Sequence, residues 1–390
     1  MQFHRSAFRS FVLRSLAVFG VLAICTTLPV NSQTPGAAAT DNPAKPNLIT
    51  LDVFVADSLG HPLHGLDQQN FTLLDNGQPR SLVSFRAVDP NTENNAVRVL
   101  LVVDMMNNGP AGIARQREQI DEFLNQDGGR LGHLMALAVL TESGVKMMNG
   151  YSLDGHALLD AFQKVDSEIR PVGRSAGFYG AAERLEESLA GLQEIAAFAA
   201  RQPGRKLVFL IGPGWPLLPN AGVEESERQR AWVFNTLVQI SNNLREAHVV
   251  LYSLNPFGLG VTQGNSNPFY YQGYRKPVTR LDKAEYPYLA EQVLAEHSGG
   301  RALVSSNDTL GDINAALRDA GAYYELAFEA PAADKPNEYH KIEVRVDKPD
   351  SDKQNLQVRT TAGYYAQPAP IGKTAPPSKA TEPDAGFPKP

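Results

Sequence analysis

Cysteine is almost missing from this chain. Among 390 residues there is one, Cys25, and it lies inside an apolar N-terminal stretch. With that stretch removed, the mature chain has no disulfides, no thiol nucleophile and no cysteine-ligated zinc. A secreted chain without disulfides relies on its hydrophobic core, which this length permits. Blocks of like charge are missing too. The net charge is −6, from 36 Lys and Arg against 42 Asp and Glu, and no basic cluster offers the surface that nucleic acid requires. Methionine is scarce, with six in all, so Met105-Met106 and Met147-Met148 read as packing rather than as a copper site. Gly212-Pro213-Gly214 lacks the Lys-Ser/Thr and the spacing of a phosphate loop. His61 and His64 flank a turn with no further ligands beside them.

What is present begins with a secretory signature. Arg5, Arg9 and Arg14 precede an apolar core that runs to Cys25, and Val30-Asn31-Ser32 offers a cleavage site. Residues 1–32 therefore read as a signal peptide, which implies a secreted or periplasmic protein with no membrane span after cleavage. The alternative is a retained N-terminal anchor, although the apolar core is short for a span. Lipidation at Cys25 is disfavoured by Ile24, where a small residue is needed. Residues 33–46 and 367–390 are rich in Pro and Ala and read as a disordered linker and tail.

Between these ends the texture changes twice. From 47 to 92 the chain is all-β. Ile49, Leu51, Val53 and Val55 alternate as a half-buried strand, Phe71–Leu74 forms another, and Asn76-Gly77 turns into a third, Ser81–Val88. From 96 to 321 strands and helices alternate, the pattern of a doubly wound, mostly parallel sheet. From 322 to 366 the alternation of Tyr324, Leu326 and Phe328, then Ile342, Val344 and Val346, returns to β. Neither β segment has enough strands to close a core alone. The two are therefore expected to join as one small β-sandwich with the α/β domain inserted between them.

The central strand is Val97-Arg98-Val99-Leu100-Leu101-Val102-Val103-Asp104, a Val-rich run that ends on an acid. Such runs are buried on both faces of a parallel sheet, and ligands bind beyond the carboxyl ends of the strands. Loops expected at that end hold the ligand-contact candidates Asp104, Asn107, Asn108, Ser175, Trp215, Tyr270, Tyr271, Tyr274 and Arg275. The stretch Pro256–Pro277 is long for a strand-to-helix connection. Its aromatics with small polar spacers suit either a protein-binding loop or a flap folded back on the domain.

These features resemble the bacterial VWFA-related proteins, which carry a von Willebrand factor type A domain and are abundant in acidobacteria. The resemblance rests on Val53, Val55, Asp57, Gly60, Pro62, Gly65-Leu66, Phe71, Asp75-Asn76-Gly77 and Phe85, on Val99–Asp104, on Gly204-Arg205-Lys206-Leu207, and on Tyr324-Glu325-Leu326 through Gly363-Tyr364-Tyr365. It implies a von Willebrand A fold and a binding, adhesion or assembly role with a protein partner. Many such domains hold Mg²⁺ through an Asp-x-Ser-x-Ser loop, a Thr and a second Asp, hard oxygen ligands around an octahedral ion. Asp104 matches the first Asp. The serine positions fall on Met106 and Asn108, the Thr maps near Ser175, and the second Asp falls on Gly212-Pro213. A thioether is a poor ligand for a hard cation, so the site positions Asp104, Asn108 and Ser175 are read as degenerate. No metal or cofactor is expected, with Mg²⁺ the alternative.

A hydrolase is the competing reading. Gly173-Arg174-Ser175-Ala176-Gly177 spells Gly-x-Ser-x-Gly, with His248 and His297 downstream. That elbow requires a buried strand directly before it, and Asp166–Val172 is charged and broken by proline. A structural scaffold for the cell envelope is the third option. A non-enzymatic binding protein is the expectation carried forward.

Overall fold

The computed structural model describes residues 47–92, 95–148, 150–168, 177–215, 225–256, 270–304, 308–347 and 356–368. The expected signal peptide and linker, Ser175 with its glycine loop, residues 257–269 and nearly all of the tail lie outside the described residues.

The described chain is α/β, with a mostly parallel central sheet and two antiparallel sheets. The N-terminal strands are β1 (Leu48–Ala56), β2 (Phe71–Asp75), β3 (Gln78–Arg80) and β4 (Leu82–Val88). The middle of the chain gives β5 (Arg98–Asp104), α1 (Pro110–Leu124), β6 (Arg130–Thr141), β7 (Gly144–Met147), β8 (Ser152–Asp154), α2 (Gly155–Glu168) and α3 (Gly177–Ala200). It continues with β9 (Lys206–Ile211), α4 (Glu227–Glu246), β10 (Val249–Leu254), α5 (Glu291–His297), β11 (Arg301–Leu303) and α6 (Thr309–Leu317). The last strands are β12 (Tyr323–Glu329), β13 (Glu338–Val346), β14 (Gln357–Arg359) and β15 (Gly363–Ala366). No helix among the described residues is long and apolar enough to cross a membrane.

The β segments from the two ends pair with each other. One sheet runs β14-β1-β12-β4 and the other β15-β13-β2-β3. Leu51 lies opposite Leu326 across β1 and β12, and Leu73 opposite Val344 across β2 and β13. Ile49, Leu51, Val53 and Val55 meet Phe71, Leu73, Leu326, Phe328, Ile342 and Tyr364 in one shared core. Each such side chain, fully buried, contributes about 1.5–3 kcal/mol, and neither segment has a second face to bury it on.

Two local expectations are corrected. β1 is not half-buried along its length, because Phe54 and Ala56 are also fully covered. Phe54 lies under the guanidinium groups of Arg205 and Arg359, at 5.8 and 4.8 Å from ring centre to carbon. The hairpin after β2 is also shorter than expected. Asn76 and Gly77 take φ of 50° and 79°, as a two-residue hairpin turn requires. The returning strand stops at Arg80, and Ser81 leads into β4, which belongs to the other sheet. Pro79 has no N–H to offer a further neighbour, so this strand forms an edge.

The central sheet is ordered β11-β10-β9-β5-β6-β7, with β8 also paired to β6. β5, β6, β9, β10 and β11 run parallel. Alternation along the strands divides the core in two. Leu100, Val102, Val208, Leu210 and Leu251 face α3, α4 and α5. Val99, Leu101, Val103, Phe209 and Tyr252 face α1, α2 and α6.

Asp319, only 1% exposed, sits where α6 leads into β12. Its carboxylate accepts from the Tyr252 hydroxyl at 2.5 Å and from the Arg359 guanidinium, and its carbonyl accepts from Arg205. Arg301 stands 3.6 Å away. Removing one member of a buried ionic cluster costs about 3–5 kcal/mol, because the remaining charges lose their partner. Asp319→Ala should therefore lower the denaturant midpoint by an amount equivalent to about 3 kcal/mol. A loss indistinguishable from that of an exposed alanine substitution would contradict this assignment.

A second tie is pH-sensitive. His248 follows α4 with φ of 52°, and its Nδ1 lies 3.0 and 3.1 Å from the two Asp52 carboxylate oxygens on β1. The Asp52 hydrogen bond raises the imidazole pKa above its ordinary value, against a smaller opposing effect of burial. A raised folded-state pKa means the contribution is full below about pH 6.5 and is lost as pH rises through the folded value. His248→Asn, which tolerates the same backbone, should flatten that loss in urea midpoints measured across the neutral range. The difference between the two proteins reports His248 itself, since Lys206 beside it is lowered to about 8 by burial. Parallel profiles would contradict the role.

Candidate functional site

Strand order places the site. The chain leaves β5 for β6 on one side and later returns to β9 on the other. A crevice opens at the carboxyl ends of neighbouring strands where the winding reverses in this way. Val103 pairs with Ile211, and Ile211 with Leu254, so Asp104, the last residue of β5, and Gly212, the first past β9, stand together at that edge. By alternation Asp104, Gly212 and Ser253 share the face covered by α3, α4 and α5.

Asp104 is 3% exposed and fastens its own loop. Its Oδ1 accepts from the Asn107 backbone N–H at 2.9 Å, and its Oδ2 from the Asn107 side-chain amide at 2.8 Å. The same amide donates to Ser188 Oγ at 2.9 Å, and that hydroxyl donates to the Arg184 carbonyl on α3. Short polar side chains favour such closures of adjacent backbone. On the opposite face, Gln116 of α1 is fully buried and donates to the Ile211 carbonyl at 2.8 Å. Arg115 and Gln119 both reach the Pro256 carbonyl, which holds the exit from β10.

The other residues at the metal-type positions do not turn toward a cation. Met106 is 1% exposed and packs in the core with Val102, Leu140 and Leu189. Asn108 is buried, and its amide nitrogen has no hydrogen-bond partner among the described residues. Gly212 lies against Asp104, so that a Cβ at 212 would stand 2.8 Å from Asp104 Cβ. No group of three His, Cys, Asp or Glu among the described residues is arranged to hold a metal ion.

On the same face of the sheet, beside Ser253, sits a residue that the sequence reading passed over. Glu291 opens α5 and is fully buried, with no hydrogen-bond partner for either carboxyl oxygen among the described residues. Burial holds its pKa well above the ordinary carboxylate range, the Asp104 charge adds to this, and the nearby Ser253 hydroxyl opposes it without completing a well-formed bond. A signal was available: Glu291 lies three and four residues before Leu294 and Ala295, on the apolar face of its helix. Ser188, between Leu185 and Leu192 on α3, follows the same pattern.

The remaining candidates divide. Trp215 is buried in the core beside the α3–α5 face, so its ring is packing rather than a presented contact. Tyr271 is buried against Ala290 and Val293 of α5, and Tyr274 meets Tyr288 edge-on at 5.0 Å. Arg275 pairs with Glu296 at 2.5 Å, and its carbonyl lies 2.9 Å from His297 Nε2. This part of the connection is folded back on the domain. Ser175 and the side chain of Tyr270 lie outside the described residues. The two histidines named for a triad are engaged elsewhere, His297 with Arg275 and His248 with Asp52 at the amino end of β10.

No protein-family model matches this chain, and no curated protein does. Three solved structures give partial likenesses. The human COPII-coat protein Sec24c is 8% identical with a TM-score of 0.31, covering 72% of this chain and 44% of its own. The N-terminal domain of TFIIH p34 is 14% identical with a TM-score of 0.24, covering 42% of this chain and 83% of its own. The pilus adhesin RrgA from Streptococcus pneumoniae is 14% identical with a TM-score of 0.20, covering 47% of this chain and 28% of its own. This chain thus spans less than half the length of Sec24c. At these TM-scores the likenesses carry no weight, and the site is argued from its own geometry.

Gly212 gives the sharpest test of that geometry. Forcing a side chain into a close-packed contact costs about 1–3 kcal/mol. Gly212→Ala should lower thermal stability by an amount in that range, while Gly109→Ala, at the start of α1, should lower it less. Equal effects would mean that the approach of Gly212 to Asp104 is not tight.

Proposed function

We propose that this chain is a secreted or periplasmic, non-enzymatic binding or assembly protein built on a von Willebrand A-type domain whose metal site is degenerate. The observation that carries this reading is the contact between Gly212 and Asp104. The position that would supply a second acid has no side chain, and Asp104 Cβ stands 2.8 Å from where that side chain would begin. Met106 in the core and the Asn107 clasp on Asp104 support it. Partner recognition then belongs to the rim of loops at the carboxyl end of the sheet and needs neither Mg²⁺ nor another cofactor.

Two measurements test this. Immobilised protein should capture its partner from envelope extract equally with Mg²⁺ and with a chelator, because no cation bridges the contact. A fluorophosphonate probe should leave the chain unlabelled. Covalent labelling that disappears in Ser175→Ala would replace the binding role with a serine hydrolase, and capture that depends on Mg²⁺ would restore a working metal site.

A further inference from the structure

β15 covers only half of its side of β13. At the end of their ladder the Ile342 N–H donates to the Ala362 carbonyl. A regular antiparallel pair returns a second bond, from the Ala362 N–H to the Ile342 carbonyl. Here the Ala362 N–H turns away and donates to the His297 carbonyl at the end of α5. The Thr361 hydroxyl donates to the same carbonyl, so the chain before β15 is drawn off toward α5. β13 itself runs on to Val346. Its bonds toward β2 use odd-numbered residues: the Lys341 carbonyl accepts from Asn76, and the Asp347 N–H donates to the Asn70 carbonyl. Val344 and Val346 therefore direct their backbone groups to the side that β15 has left. Among the described residues nothing meets the Val344 N–H or C=O there, and Val344 is only 8% exposed. Covered backbone groups are nearly always paired, and an open edge of this kind is a template for another strand.

The space beside this edge is a groove of about 270 Å³, with Val358 and the acids Glu296 and Glu343 on its walls. Ile342, Val344 and Val358 belong to the sandwich core, and by alternation Glu343 faces the other way. Arg275 pairs with Glu296, and Arg345 with Glu343, each through a guanidinium more than half exposed. Lys341 stands 3.9 Å from Glu343. Water and salt weaken such pairs. Arg359, on the same groove, is turned to Asp319. We propose that the open half of β13 takes an extended segment of a partner protein as an added strand. Main-chain bonds to β13 would hold it, and its alternate side chains would set the choice of partner. Apolar residues would lie toward Val358, and lysine or arginine toward Glu296 and Glu343. The groove adjoins the last turn of α5 and the amino end of β11, at the opposite end of the sheet from the crevice. The inference goes beyond the binding role proposed above and does not depend on the state of the metal site.

The test uses the full chain and amide exchange read residue by residue. In the free protein the Val344 amide should exchange faster than those of Glu343 and Arg345, which face β2. A short capped peptide of alternating valine and lysine should slow the Val344 exchange saturably. The same peptide methylated at its backbone nitrogens should not. Glu343→Lys, an exposed change, should weaken the peptide about threefold at low salt. A Val344 amide already protected in the free protein overturns the proposal. Protection independent of protein concentration would mean that the chain covers its own edge, and protection that grows with concentration would mean that a second copy does. Failure of the peptide to slow Val344, or equal slowing by the methylated peptide, overturns it as well. Neither result alters capture through the rim, which is measured separately.

Discussion

Asp319 gathers groups from both halves of the protein onto one carboxylate. Tyr252 comes from the parallel sheet, Arg359 from the antiparallel sheet beside β1, and Arg205 from the residue before β9. The two guanidinium groups also cover Phe54, and Arg205 covers Tyr323. The sandwich and the α/β layer are thus joined by a charged, hydrogen-bonded cluster rather than by apolar contact alone. A cluster of this kind accepts one geometry, since any sliding of one sheet leaves a buried charge unpaired. It fixes the direction in which β5, β9 and β10 present their carboxyl ends, and with it the site.

The sandwich has a smaller counterpart of this device. Asp75, fully buried at the end of β2, lies 2.7 Å from His340 Nδ1 and accepts from the Tyr364 hydroxyl at 3.1 Å. Both partners come from the C-terminal segment, so β2 is registered against β13 and β15 by a polar contact as well as by packing. A one-residue slip in either strand would turn this acid and its partners to opposite faces. The long insertion between the two segments does not weaken the pairing much, because the entropy of closing a loop grows slowly with its length.

The layout was legible where periodicity is strong. Ile49 to Val55, Val99 to Val103 and Val249 to Leu254 read as strands and are strands, because alternating or continuous Val and Ile signal one or two covered faces. What periodicity does not encode is which sheet a strand joins. Nothing in Ser81–Val88 shows that β4 leaves its own hairpin to lie beside β12, and nothing in β1 shows that two arginines cover its far face. The site was legible in part. Asp104 was found from its place at the end of a buried strand, and Met106 and Gly212 beside it were named from the sequence too. Glu291 was not found, because its significance lies in Asp104 and Ser253, residues far away in sequence. An acid on the apolar face of a helix was the only local sign.

The carboxyl end of the sheet is closed from within. Asn107 occupies Asp104, Met106 and Trp215 are core, and Tyr271 is buried against α5. Beyond Tyr274 the chain shows Arg275, Lys276 and Arg280 to solvent, and Arg275 lies against the last turn of α5 rather than at the carboxyl ends of the strands. Arg275 is paired with Glu296 and Arg280 with Asp282. Exposed pairs of this kind are screened by water and salt, so they hold the two guanidinium groups only weakly. The same pairs offset the positive charge of this stretch.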